Sequence, residues 1–258
     1  QQRLLLERGY AALHEAAFDR AALAGSLTGV FLGFAGSEFA QVFAASPAGG
    51  SVYAATGSAS SIAAGRLSYV LGLHGPCVSY DTACSAALAA CHAALRALQL
   101  DECVTGLVAA VTLMLAPAIG TSFAIAGMTS ARGRSHTFDA RADGYARGEA
   151  IEALACRLSD EATSEAAIRM LGSAVRQDGR SASLTAPNGQ AQQGVLSASL
   201  ADARLARDNT SALEAHGTGT ALGDPIEAGA VAAVLLAARD ASQQAPLVAG
   251  SLKANAGH

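Results

Sequence analysis

Short apolar runs and longer helical runs take turns along this chain, and that rhythm is the strongest constraint on its fold. Thr28 to Phe34, Gly75 to Tyr80, Val104 to Leu115, Ile151 to Leu158, Ile168 to Val175 and Leu247 to Leu252 read as strands. Between them, Leu4 to Ala17, Ser60 to Leu73, Cys84 to Leu98, Gly189 to Ala206 and Asp224 to Arg239 read as helices. Such alternation predicts an α/β fold on a largely parallel sheet. The stretch from Cys103 to Ala131 has no formal charge and exceeds the ~20 residues that cross a bilayer. Gly106, Pro117, Gly120 and Gly127 interrupt it. Pro117 divides it into a strand and a short helix, both expected to be covered, because a strand buried on both faces is apolar almost throughout. No membrane span is expected. The charged break at Leu158-Ser159-Asp160-Glu161 predicts a seam between two halves, 1–160 and 161–258.

With 258 residues, 51% hydrophobic and 15% charged, the chain can bury a substantial core. A net charge of -4 carries no basic stripe, which argues against nucleic acid or an anionic membrane surface as the main partner. The five cysteines are odd in number, and Cys77, Cys84 and Cys91 lack the paired spacing of a zinc site or a disulfide framework. No metal is expected. A reduced intracellular setting fits, cytoplasm first and plastid as the alternative. Gln1-Gln2-Arg3-Leu4 holds neither an initiator Met nor a leader, so the start reads as a cut end and targeting is not legible.

Cys84 is the candidate nucleophile. Asp81-Thr82-Ala83-Cys84-Ser85 sets it between a polar turn and an uncharged alanine-rich helix, and the free N–H groups and dipole of a helix N-terminus favour a thiolate. The run to Leu95 is small and uncharged, so the helix is expected to be buried on every side, with its thiol deep and reached only by a long tether. Cys77 and Cys91 read as core, and Cys103 and Cys156 as strand residues.

His216 ends a strand-like segment and precedes a glycine-rich turn, a common place for chemistry in α/β sheets. Gly217, Gly219 and Gly223 miss the dinucleotide spacing by one position, so no nicotinamide is expected. Gly223-Asp224-Pro225-Ile226-Glu227 follows, where Asp can cap a helix and Glu can complete a capping box. His258 closes a strand end that runs through Lys253 and Asn255 into a polar turn. His14, His74, His92 and His136 read as structural or surface residues.

With these residues in hand, the chain resembles the β-ketoacyl synthase (ketosynthase) domain of type I-like polyketide synthases. GPCVSYDTACSAAL is similar to the family's active-site cysteine motif, EAHGTGTALGDPIEAGA to its first histidine motif, and GSLKANAGH to its lysine and second histidine motif. SIAAGRLSYVLGLH, HTFDARADGYARGEA and AVRQDGRSASLTAPNGQAQQ match further segments in order. The resemblance implies a thiolase-like αβαβα layered fold, truncated at both ends, normally as a homodimer. It implies that Cys84 takes an acyl chain as a thioester, that His216 and His258 serve a malonyl-type extender, and that Lys253 orients the site. Thr218 and Thr220 would line the path of the phosphopantetheine arm of an acyl carrier protein, with no cofactor bound directly.

The implied reaction is decarboxylative condensation to a β-ketoacyl thioester in polyketide synthesis. The alternatives are a fatty-acid synthase condensing enzyme of the same fold, or a non-condensing domain that binds carrier protein and passes chains along. The family's opening strand precedes Gln1, and its glycine- and phenylalanine-rich loop after His258 lies outside the chain. That loop supplies one oxyanion donor, the Cys84 amide being the other, and losing one such donor lowers rates ~10²–10³-fold. The segment alone is therefore expected to be inactive and unstable. Glu152 interrupts an apolar strand run and, if buried, would need a partner.

Overall fold

The structure, a computed structural model, describes residues 1–36, 38–158, 168–237, 239 and 245–258. Its elements in chain order are α1 (Gln2–Glu15), α2 (Arg20–Leu23), β1 (Thr28–Gly33), α3 (Glu38–Ala44), α4 (Ala54–Ser58), α5 (Ser60–Leu71) and β2 (Cys77–Tyr80). Then come α6 (Ala86–Gln99), β3 (Thr105–Thr112), α7 (Pro117–Ile125) and β4 (Ala150–Cys156). The last are α8 (Gly189–Asp202), β5 (Ala212–Glu214), α9 (Gly223–Val231), β6 (Val248–Gly250) and α10 (Lys253–Ala256). They group into two compact units, Gln1–Pro117 with Glu149–Ala166, and Ala118–Gly148 with Ala167–His258. Ser159, Asp160 and Glu161 of the expected seam lie outside the described residues.

The first unit is a four-stranded sheet in the order β2-β1-β3-β4. β1 runs parallel to both neighbours, and only β4 is antiparallel, to β3. Every residue of β1 is buried, which explains its uninterrupted apolar sequence. Strand alternation then sorts the core. Val30, Leu32, Leu107, Ala109 and Val111 pack with Leu5 and Leu13 of α1 and Leu67 and Leu71 of α5. Phe31 and Val108 point the other way, against Ala90, Ala94, Ala97 and Leu98 of α6. At ~25 cal/mol per Å² of apolar area removed from water, these two faces are the main stabilising contribution.

Several expectations need correction. Cys77 is exposed rather than core, because β2 is an edge strand of the sheet. Glu152 is exposed on an alternating β4 and needs no buried partner. No residue of α7 is buried, and Ile125 is 82% exposed. Its covered face is limited to Ile119, Gly120 and Phe123, each half-buried, with the Arg147 guanidinium over the Phe123 ring. Ile168–Val175 forms no strand. Its backbone passes so close to the end of α8 that a Cβ on Gly172 would lie 2.4 Å from the Ala203 nitrogen, and the Ser173 N–H donates to Asp202 at 2.9 Å. Proximity to a helix end, rather than a ladder, fixes that run.

In the second unit β5 and β6 pair in parallel, Glu214 opposite Gly250. Val231, Val234 and Leu235 form a small core against Leu196, Leu200, Leu213 and Leu247. The Asn188 side chain caps α8 by accepting from the Gln190 and Ala191 amides.

Candidate active site

In the first unit, β2 ends at Tyr80 and the chain turns sharply before Cys84. Asp81 Oδ1 accepts the Ala83 N–H at 3.2 Å, and Ser85 Oγ donates to the Thr82 carbonyl at 2.9 Å. Ala83 sits at φ 52, left-handed backbone that residues with a Cβ seldom adopt and that tends to persist at functional turns. A 3-10 turn, Ala83–Ser85, therefore precedes α6, and the α-helix begins at Ala86 rather than at Cys84.

The expectation of a deeply buried thiol is also corrected: Cys84 is exposed. α6 buries Ala86, Ala90, Ala94, Leu95, Ala97 and Leu98, while Leu88 is 74% exposed. Burial is one-sided, and an alanine-rich sequence has no polar face to announce it. The helix start rests directly on the end of β1, where a Cβ on Gly33 would lie 2.7 Å from the Ala87 nitrogen. Desolvation pushes the Cys91, Cys103 and Cys156 thiols up, as suits packing residues.

The second unit brings His216, Lys253 and His258 together. Because β5 and β6 are parallel neighbours, the segments leaving their carboxyl ends start side by side. The Ala215 N–H donates to Gly250 at 2.8 Å, and the Leu252 N–H to Glu214 Oε1 at 2.8 Å. α10 carries Lys253 and leads to His258, whose N–H donates to the Ala146 carbonyl at 2.6 Å and whose carbonyl accepts from Gly148 at 2.7 Å. The two imidazoles lie 5.3 Å apart between centroids at 88°, and Tyr145 meets His258 edge-on at 5.0 Å.

The first histidine's loop is held by acids whose sequence positions suggested helix capping. Glu227 accepts the His216 N–H at 2.7 Å and the Gly217 N–H at 2.8 Å. Asp224, 4% exposed, accepts from Phe138 at 2.8 Å, Gly219 at 3.1 Å and Thr220 at 3.2 Å. The expected capping box does not form, because α9 starts one residue early at Gly223 and its carboxylates turn back to the preceding loop. The Thr137 hydroxyl donates to the Gly217 carbonyl. The available signal was the sequence proximity of two acids to a glycine-rich turn whose amides need acceptors. Thr218 is buried, whereas Thr220 lines an open cavity of about 380 Å³ with Phe138, Asp139, Ala142 and Pro225.

Burial, the neighbouring His216 and the charge of Lys253 push His258 down to about 4. His216 is also lowered, chiefly by desolvation and then by Lys253, against the opposing pull of Glu227 and Asp224. By accessible area His216 is exposed, so its desolvation comes from groups crowding the ring rather than from full enclosure. Near neutral pH both rings are uncharged, and each can offer one N–H and one lone pair. Among the described residues, no three His, Cys, Asp or Glu side chains could hold a metal ion.

Residues 1–162 match the family model of the beta-ketoacyl synthase N-terminal domain, and residues 167–258 that of its C-terminal domain. The chain belongs to the beta-ketoacyl synthase family. All of it aligns with polyketide synthase GfsB of Streptomyces halstedii at 46% identity and with pikromycin polyketide synthase component PikAII of Streptomyces venezuelae at 45%. It spans only 5% and 7% of their lengths. Among solved structures, the ketosynthase from module 6 of the bacillaene synthase of Bacillus subtilis 168 superposes with a TM-score of 0.87 at 33% identity. The oxazolomycin ketosynthase domain OzmH KS7 of Streptomyces albus JA3453 does so at 0.86 and 30%. Each match covers the whole chain and 45% of the other. The chain has the thiolase-like fold of these domains. Its bacterial relatives lend the plastid alternative no support, and among the described residues no helix is long and apolar enough to cross a membrane.

The sequence-derived candidates of this family member fall into two sets. His216, Lys253 and His258 share one corner of the second unit. Cys84 occupies an exposed turn at the carboxyl end of a parallel strand in the first, where ligands of such sheets gather. Thr218 and Thr220 share the loop that follows His216.

Proposed function

We propose that the protein carrying this chain catalyses decarboxylative condensation of a malonyl-type extender with an acyl chain in polyketide synthesis. The observation that carries the reading is the pair of neutral imidazoles, His216 and His258, 5.3 Å apart and beside Lys253. In the first step, the Cys84 thiol gives up its proton and attacks the acyl thioester on a carrier protein. A new Sγ–acyl bond forms and the phosphopantetheine thiol leaves. In the second, the extender loses CO₂ and the electron pair of the broken carbon–carbon bond becomes an enolate, whose oxygen accepts hydrogen bonds from the imidazole N–H groups. The enolate carbon then attacks the acyl carbonyl on Cys84. The carbon–sulfur bond breaks and the β-ketoacyl chain stays on the carrier.

Neutral rings suit this role, because stabilising an enolate oxygen needs donors rather than strong acids. Lys253 disfavours a proton on either ring, so its part is to keep the donors neutral. Thr220, on a cavity wall, and Thr218, beside it at 3.5 Å between hydroxyls, would guide the phosphopantetheine arm. The halves 1–160 and 161–258 divide the labour, thiol in one and imidazoles in the other. The working form is a homodimer joined along β2, one of the two edge strands of its sheet, where Cys77 and Val78 are exposed.

The test is intact-protein mass spectrometry of the full-length protein after incubation with an acyl thioester. The acyl mass should appear on wild type and vanish in Cys84→Ala. Retained acylation at another residue would overturn the assignment. Malonyl decarboxylation persisting in Cys84→Gln distinguishes a condensing enzyme from a carrier-binding domain that lacks the chemistry, and the products separate polyketide from fatty-acid synthesis.

A further inference from the structure

At the carboxyl end of the first unit's sheet, two carboxylates grip three consecutive backbone amides. Gly33 of β1 is level with Tyr80 of β2 on one flank and Ala110 of β3 on the other, so the chains leaving these strands emerge side by side. The chain after β2 carries Cys84. The chain after β1 leads to Glu38, the first residue of α3, and the chain after β3 runs through Met114, Leu115 and Ala116.

Glu38 is 4% exposed, and its Oε2 accepts both the Leu115 N–H at 2.7 Å and the Ala116 N–H at 2.8 Å. Glu149 Oε1 accepts the Met114 N–H at 2.7 Å. A carboxylate is buried at a cost of several kcal/mol unless hydrogen bonds offset it, and charge-assisted bonds of this length are about twice as strong as neutral ones. Amides in an open loop can be satisfied by water. Recruiting two acids from separate elements instead fixes the path of this loop. The fixed path presents Met114, 40% exposed, and Leu115, 41% exposed, at the end of the sheet where ligands of parallel strands collect. A flexible thioether and a branched alkyl group are suited to an apolar chain.

We infer that Glu38 and Glu149 are positioning residues that hold the Met114–Leu115–Ala116 loop as one wall for the acyl chain on Cys84, and so set which chains are accepted, an inference that rests on the acyl-enzyme reading above. The chain is recognised as a saturated or branched alkyl group by contact with Met114 and Leu115, not by charge.

The experiment measures kcat/KM for acylation of Cys84 in the full-length protein, using acetyl, butyryl, hexanoyl and octanoyl N-acetylcysteamine thioesters. Removing wall contacts from a hydrophobic site alters discrimination by about tenfold per methylene-sized change. Leu115→Ala should therefore shift the octanoyl-to-acetyl ratio by about that factor. Glu38→Ala should move the ratio in the same sense as Glu149→Ala. Glu38→Gln, which keeps a carbonyl oxygen able to accept both amides, should move it less than Glu38→Ala. Alkylation of Cys84 by iodoacetamide should stay within about twofold in each variant, because the nucleophile turn is separately held. Uniform loss of acylation with an unchanged ratio in the Glu38 and Leu115 variants would overturn the inference. If Glu38→Ala fails to fold, Leu115→Ala and Glu149→Ala decide the matter by the same ratio, which must move in both for the wall to stand. Wild type that takes no acyl group on Cys84 would instead refute the proposed function.

Discussion

Acidification should leave His258 neutral well below the pH at which an ordinary imidazole charges. His258 is held at about 4 by burial, by the His216 ring and by Lys253. At pH 6 an unperturbed imidazole is about three-quarters protonated, whereas one at about 4 is protonated in roughly one molecule in a hundred. The folded value lies below the unfolded one, so the unfolded chain takes up its proton first as pH falls. The corresponding stability is fully present above about pH 6.5 and is lost as pH drops toward about 4, at most about 3 kcal/mol for His258. His216 shifts in the same direction and adds to the loss.

The assay is NMR of the full-length protein with 13C-labelled histidine, titrated from pH 8 to pH 4, with malonyl decarboxylation followed in parallel. The His258 resonance should hold its neutral position through pH 6, and decarboxylation should not fall with a midpoint near 6.5. Lys253→Gln removes a charge that opposes protonation of both rings, so both midpoints should rise. A His258 midpoint near 6.5 in wild type, or no upward movement in Lys253→Gln, would refute the electrostatic account.

Gly33→Ala should lower Tm and slow Cys84 alkylation, because the new Cβ would lie 2.7 Å from the Ala87 nitrogen and 2.8 Å from the Ala86 carbonyl carbon. Backbone cannot yield as a side-chain tip does, so the expected cost is about 1–3 kcal/mol; Gly65→Ala on α5, with open space around it, is the control and should leave both readouts unharmed. Val78→Lys on the edge strand β2 should shift sedimentation toward monomer, since a lysine on a sheet edge opposes strand-to-strand pairing. An unchanged dimer would move the interface elsewhere.

Much of the fold was legible because burial on both sheet faces leaves an unmistakable apolar run, as in β1 and β3. The candidate site residues were nominated by type: one of five cysteines, placed after a polar turn, and two histidines downstream of strand-like runs. Less legible were features set by neighbours distant in sequence. Ile168–Val175 has the composition of a strand, yet the nearby end of α8 claims its amides. The one-sided burial of α6 cannot be read from alanines, which suit either environment. Asp224 and Glu227 looked like helix-start signals, and only the path of the loop before them shows that their acceptors serve the His216 turn. The direction of β4 likewise depends on a connection whose route no local pattern encodes.

The parallel pairing of β5 with β6 has a consequence for how such a protein can diversify. Three rungs of main-chain hydrogen bonding, Ala212 with Val248, Leu213 with Ala249 and Glu214 with Gly250, bring together two histidines that are remote in the chain. The start of each histidine segment is thus set by peptide geometry, which every side chain shares. Replacements on the outward faces of those strands leave it untouched. Variation can accumulate in the surroundings while the histidine pair stays in register.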